Sequence, residues 1–176
     1  FDVRTGLQAY EVGKGSPKQT KHDVANHVYD RDGWENDDSY PYLQGRDVRR
    51  YRLDWSGSWM QHGPWLSQPR EIEMFQRPRV LVREITSPYP HCFCAAFTEQ
   101  PFLSNKSVLT VLDPEDDVAR LEALEVVLNS RLMSLCYKAR SVKGARKVFP
   151  KIVVKNFREL PFPRVIDPRQ AADAVV

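Results

Sequence analysis

The sequence predicts an α+β fold: a mixed, mainly antiparallel sheet with one long amphipathic helix and several short helices. Apolar, β-prone runs at Arg79–Ile85, Cys92–Phe97 and Ser107–Leu112 come before the long helical pattern and do not alternate with helices. That pattern places Val118, Leu121, Leu124, Leu128, Leu132, Leu135 and Ala139 at spacings of three and four, one apolar stripe. Internal repeats and low-complexity tracts are absent from the sequence.

Taken in order, Leu7–Val12 reads as a short strand that ends at the turn Gly13-Lys14-Gly15-Ser16-Pro17. Thr20 can cap a short helix running through Val28. Residues 30–41, rich in Asp, Asn, Gly and Ser, read as a mobile polar loop. Val48–Leu53 alternates apolar and basic residues, as an exposed strand does. Its alternation aims Arg50 and Arg52 one way, Arg49 and Tyr51 the other. Gly57 marks a turn, and Ser58–Gln61 is the expected hairpin partner. Pro69–Phe75 can form a short helix after Ser67 or Gln68. The three strong strands follow. Asp113-Pro114-Glu115-Asp116 then supplies a cap, a first-turn proline and acids at the positive end of the helix dipole. The helix they open runs for about 25 residues and is closed by Gly144.

A chain of 176 residues suits one domain, here residues 1–165, with 166–176 a tail or the start of a following segment. The chain begins at Phe1 without an initiator Met and enters patterned sequence at once, so it is expected to be a piece of something longer. No apolar run reaches membrane-spanning length and no charged-then-apolar leader opens the chain. An odd number of cysteines, three, argues for a reducing compartment. A cytoplasmic protein without a membrane partner is the expectation.

The net charge of +3 is unevenly spread. Residues 1–45 carry net −3, 46–110 net +3, 111–135 net −4 and 136–176 net +7, so two positive blocks flank a negative one. From Lys138 to Arg158 there are eight positive residues and no acidic one, and Leu160-Pro161-Phe162-Pro163 closes the stretch. A positive segment held by a rigid apolar close suits the backbone of a polyanion, and nucleic acid is the commonest polyanion. Charge alone fits a solvated face equally well.

The candidate phosphate contacts are Lys143, Arg146, Lys147 and Lys151, helped by Lys14, Lys18 and Lys21. Arg46, Arg49, Arg50 and Arg52 are candidates for either phosphate or guanine, because an arginine fork fits both. Trp55, Trp59 and Trp65 read mainly as core. The glycine turn lacks the ending of a phosphate-binding loop and reads as a strand-ending turn whose amides and nearby lysines could touch a phosphate. His91, Cys92 and Cys94 are the one cluster with metal-binding chemistry. On a strand His91 points away from the two thiols and no second pair exists, so no metal is expected. Ser87-Pro88-Tyr89-Pro90 reads as a loop, and no catalytic centre is expected.

Several segments in order resemble a known family. They are Gly13-Lys14-Gly15-Ser16-Pro17-Lys18-Gln19-Thr20, Tyr42-Leu43-Gln44-Gly45-Arg46-Asp47-Val48-Arg49-Arg50-Tyr51 and Pro78–Ile85. Ser104-Asn105-Lys106-Ser107-Val108, Leu128-Asn129-Ser130-Arg131-Leu132 and Phe149–Pro163 complete the series. Together they resemble the TaqI-like C-terminal specificity domain, the target recognition domain of N6-adenine DNA methyltransferases, found especially in single-chain type IIG restriction–modification enzymes. The resemblance implies double-stranded DNA as partner, together with a catalytic methyltransferase domain of the same chain. That absent domain would hold S-adenosylmethionine and an Asn-Pro-Pro-Tyr loop, leaving this fragment without a cofactor and not catalytic by itself. The alternatives are a protein-interaction or scaffold module with a basic docking surface, and a nuclease domain.

Overall fold

The computed structural model describes residues 1–140 and 151–162. Its centre is a four-stranded antiparallel sheet in the order β1 (Asp2–Thr5), β10 (Val108–Leu112), β7 (Arg79–Arg83), β8 (Ala95–Thr98). A second sheet has the order β2 (Asp30–Arg31), β6 (Trp59–Gln61), β3 (Ser39–Leu43), β9 (Leu103–Ser104), and β3 runs parallel to β9. A hairpin, β4 (Val48–Arg49) and β5 (Arg52–Leu53), lies beside them. Helices α1 (Lys21–Ala25), α2 (Glu73–Gln76), α3 (Val118–Leu128), α4 (Arg131–Arg140) and α5 (Val154–Arg158) complete the α+β fold. Among the described residues no helix is long and apolar enough to cross a membrane.

Alternation along the central strands explains the layering. In β10, Leu109 and Val111 enter a core with Val80, Val82 and the helix residues Leu121, Leu124, Leu128, Met133, Tyr137 and Phe157. Val108, at the start of the strand, packs with Leu81, Leu43, Val48 and Phe102 on the other face, and Leu112 joins a third cluster with Leu7, Met60 and Phe75. Both faces of the sheet are therefore covered, which is why these strands read as nearly unbroken apolar runs. Ile152, Phe157 and Leu160 bury in the helix-side core, so the closing segment is anchored by packing.

Strands form in all three expected runs, but β7 stops two residues early at Arg83, β8 begins three residues late at Ala95 and leaves Cys92–Cys94 outside it, and β10 begins at Val108. Thr20 caps α1 as expected, although the helix ends at Ala25 and not Val28. Other expectations are corrected. The expected strand Leu7–Val12 is reduced to isolated bridges at Leu7 and Gln8, while β1 forms just before it. The supposed polar loop 30–41 contains β2 and the start of β3. Val48–Leu53 is not one strand: Tyr51 takes a positive φ of 63° and folds the segment into the β4–β5 hairpin. Strand β6 consequently pairs with β2 and β3, not with residues 48–53.

The long helix is also two helices. Asp113 is fully buried and caps a turn, accepting from the Glu115 amide at 2.9 Å and pairing with Arg120 at 3.1 Å. The helical cap is Asp117, whose carboxylate accepts from the Arg120 amide. At the other end, buried Asn129 stops α3 by satisfying strand backbone. Its Oδ1 accepts from the Ala95 amide at 3.1 Å and its Nδ2 donates to the Ala95 carbonyl at 2.9 Å. Ser130 then restarts the helix by accepting from the Met133 amide. The break turns the buried face of α4 to Met133, Ser134 and Tyr137, leaving Leu132 70% exposed and Leu135 and Ala139 outside the core.

Arg79 is a further structural device. It is buried, its fork donates to the carbonyls of Arg77, Gln100 and Phe102, and burial pulls its pKa down to about 10. It ties the entry of β7 to the loop before β9.

Three outcomes follow from this packing. Leu128→Ala should lose about 2–5 kcal/mol in urea denaturation, whereas Leu132→Ala should change stability by less than about 0.5 kcal/mol; equal losses would restore the single continuous helix. Asn129→Ala leaves buried strand groups unpaired and should cost about 2–3 kcal/mol, read in the same assay. Burial, opposed by the Phe97 amide that it accepts from, holds the Glu125 carboxyl above its ordinary range. The folded state therefore binds more protons than the unfolded state just above that range, and stability falls as pH rises through it. Denaturation from pH 4 to 7 should show Glu125→Gln gaining on the parent as pH rises.

Candidate functional site

The positive side chains gather where the ends of the central strands meet the turn before β10. Residues Asn105–Ser107 form that turn, and it is pinned from several directions. The Leu7 amide donates to Ser104 O and the Glu84 amide donates to Ser107 O. The Gly45 amide donates to Ser107 Oγ at 3.0 Å, and Ser107 in turn donates to the Asn105 carboxamide oxygen. Ile85 bridges to Lys151, and the Ile152 amide donates to Glu84 O. The closing segment is thereby tied to the end of β7.

Two concavities share this wall. One, of about 380 Å³, is lined by Gln44, Gly45, Arg46, Arg83, Ile85, Asn105 and Ser107. The other, of about 290 Å³, presents Arg70, Lys106 and Lys151 with Glu84, Gln8 and Gln68. Glu84 belongs to one while its neighbours Arg83 and Ile85 belong to the other, so the strand end is the partition. A further hollow beside Arg70 adds Arg4 and Glu71. Across the three, six basic side chains face two acidic ones, so the surface potential is positive.

The basic groups differ in how free they are. Arg46 is 68% exposed, and its nearest acidic contact is Asp47 at 3.9 Å. Lys151 is 56% exposed and paired with Glu84 at 2.9 Å, a surface pair that a phosphate can replace at little cost. Lys106 donates to Gln8 Oε1 at 3.4 Å. Arg70 holds Thr5 Oγ1 at 2.9 Å, and Arg83 is committed to Ile85 O and Ser87 Oγ.

Of the residues singled out in the sequence, the structure brings Arg46 and Lys151 to the two sides of this wall. Arg49 and Arg52 are direct partners across the hairpin, not on opposite sides as a single strand would place them, and Asp54 sits at 3.5 and 3.0 Å from them. Arg50 turns inward: its Nη2 donates to Asn129 O at 3.2 Å, at the carboxyl end of α3. Lys14, Lys18 and Lys21 are exposed and stand apart, lining none of the three concavities. Lys143, Arg146 and Lys147 lie outside the described residues.

The glycine turn uses its own amides. Gly13 donates to Gln19 O, Lys14 to Glu11 O and Ser16 to Pro64 O, and the positive φ of Gly13 and Gly15 makes this closure possible. The buried Gln19 carboxamide fastens the turn by donating to Ala9 O and Trp65 O. Those three amides are therefore spent on the fold. Cys92 and Cys94 are buried, Ser134 Oγ accepts from the Cys92 amide, and the His91 ring contacts Asn129 O. The tryptophans are less deep than expected: Trp55 is exposed, while Trp59 and Trp65 are half-buried.

Sequence reasoning missed Arg70, Arg83, Lys106 and Gln44 as part of this surface. Arg70 and Lys106 are isolated charges in linear sequence, and only the fold sets them side by side. Gln44, Arg83 and Lys106 each lay in a segment of the family resemblance, which was the available signal.

No curated protein matches the chain's sequence. Residues 40–162, from β3 through α5, match the family model of the TaqI-like C-terminal specificity domain. The opening turn at 13–20 lies ahead of that match, whereas the partition wall and both its concavities are built mainly from residues inside it. The chain belongs to the TaqI-like C-terminal specificity domain family.

Proposed function

We propose that this chain is the duplex-DNA recognition domain of a larger adenine-N6 DNA methyltransferase or restriction–modification enzyme, and that it is not catalytic by itself. In this reading an S-adenosylmethionine-binding catalytic domain of the same protein flips out and methylates the adenine while this domain holds the flanking duplex. The setting is the cytoplasm, where such an enzyme meets DNA. Family membership supports the class of function. The observation that carries it to particular residues is the positive wall between two concavities, with Arg46 on one side and Lys106 and Lys151 on the other.

The roles divide by chemistry. Lys106 and Lys151 are point charges on flexible stems at an exposed rim and are suited to phosphates. Lys14, Lys18 and Lys21 are further candidates for the DNA backbone, as are Lys143, Arg146 and Lys147 on the charge of their stretch alone. Arg49 and Arg52 share one carboxylate, so the hairpin offers a weaker cationic spot than its sequence suggests. Arg50 supports the fold.

Titration of duplex oligonucleotides at several salt concentrations tests this. Lys106→Ala and Lys151→Ala should each reduce the log–log salt slope by about one and weaken all sequences alike. Arg50→Ala should lower the melting temperature and leave that slope unchanged. Salt-independent binding, or slopes that neither lysine alters, would remove the assignment and favour a protein-docking module. Plasmid nicking in Mg²⁺ that a carboxylate substitution abolishes would favour a nuclease.

A further inference from the structure

The concavity beside Arg46 has a different character from its neighbour across the wall. Its lining combines one largely exposed guanidinium with an amide, an apolar group and small polar residues: Arg46, Gln44, Ile85, Asn105 and Ser107. The Gln44 side chain is half-buried and opens the 3₁₀ turn Gly45–Asp47 in a reciprocal cap with Asp47, and its main chain is fully engaged. A carboxamide that lines an open concavity keeps its NH₂ donors and an oxygen lone pair available for an external donor–acceptor pair.

The backbone that carries Gln44 and Arg46 is held rigidly. The Gln44 amide donates to the buried Asp47 carboxylate at 2.7 Å, and the Asp47 amide returns to Gln44 O at 2.9 Å. Between them Gly45 is buried, and a Cβ there would stand 2.8 Å from Ser107 Oγ. Glycine is required for that close approach, which fixes the short 3₁₀ turn Gly45–Asp47 against the Asn105–Ser107 turn. The clamped backbone fixes where the two side chains emerge, so binding requires no ordering of the turn itself.

Resting on the DNA-recognition reading above, we infer that Gln44 and Arg46 are the base-reading pair of this domain. Gln44 takes the N6 and N7 edge of an adenine, and Arg46 takes the O6 and N7 edge of a guanine. A carboxamide offers one donor and one acceptor in the spacing that adenine presents in the major groove. The arginine fork offers two donors that match guanine's two acceptors. Ile85, 37% exposed in the same concavity, supplies an apolar contact for the methyl group of the thymine paired with that adenine. The lysines across the wall carry charge without a planar fork, so they position the duplex and do not read it.

The experiment is selection of bound duplexes from a randomised library by the full chain and by Gln44→Ala, Arg46→Ala and Lys151→Ala. Thermal melts confirm that each variant is folded. The parent should enrich a motif containing both an adenine and a guanine. Gln44→Ala should lose about ten- to hundredfold preference at the adenine alone, and Arg46→Ala the same at the guanine alone. Lys151→Ala should keep the whole motif while weakening all sequences. Replacing the enriched adenine or guanine by its 7-deaza analogue should reproduce the matching loss in the parent and cost the matching variant nothing more. A motif that survives intact in both Gln44→Ala and Arg46→Ala overturns this inference and leaves DNA recognition standing. Duplex binding without any enriched motif overturns it in the same way. Absence of duplex binding by the parent overturns both.

Discussion

Strand β10 is buried along its whole length, and that single condition organises the molecule. Its odd-numbered residues face the helices and its even-numbered ones face the second sheet and the β4–β5 hairpin, so β10 joins cores that would otherwise be separate. A strand so enclosed has no freedom of register, because a slip by one residue would exchange Leu109 and Val111 with Thr110. The turn that leads into it inherits the same rigidity. Asn105–Ser107 is where Gly45, the end of β7 and Leu7 are all fastened, and the positive wall is built on that junction.

Rigid placement at this junction explains why arginines only a few residues apart have different fates. The guanidinium of Arg79 donates to three carbonyls in the interior and that of Arg83 to its own following turn, while Arg50 gives one hydrogen bond, from Nη2, to the carboxyl end of α3. Each satisfies backbone groups that a loop or a helix end would otherwise leave unpaired. Arg46 escapes because its turn is already closed by Asp47 and Ser107, which leaves the side chain largely in solvent beside the Gln44 carboxamide. Positive charge in the sequence is thus divided between holding the fold and facing outward.

Much of the frame was legible. The three central strands announce themselves because both of their faces are covered, giving apolar runs that no loop would carry. Thr20 was legible as a cap because its hydroxyl and Asp23 complete a reciprocal pair with the local backbone, a contact made within four residues. The error at Asn129 is instructive for the opposite reason. The apolar spacing of three and four continues through it, and an Asn-Ser pair is tolerable inside a helix. Only the Ala95 backbone, 34 residues away in sequence, makes the break worthwhile. The hairpin at 48–53 was missed because a left-handed tyrosine is an uncommon choice, held here by its amide donating to Ala95 O.

The sequence by itself determined the fold class, the central strands, the family and the presence of excess positive charge toward the carboxyl end. These properties depend on periodicity, local capping and ordered motifs, each of which is written within a short window. The tertiary structure decided which charges are available. Gln44, Arg46, Arg83, Lys106 and Lys151 become neighbours because strand ends and turns distant in the chain are hydrogen-bonded together. Whether a side chain meets solvent, a carboxylate or a carbonyl is fixed by packing between such segments, and that packing has no signature in any one of them.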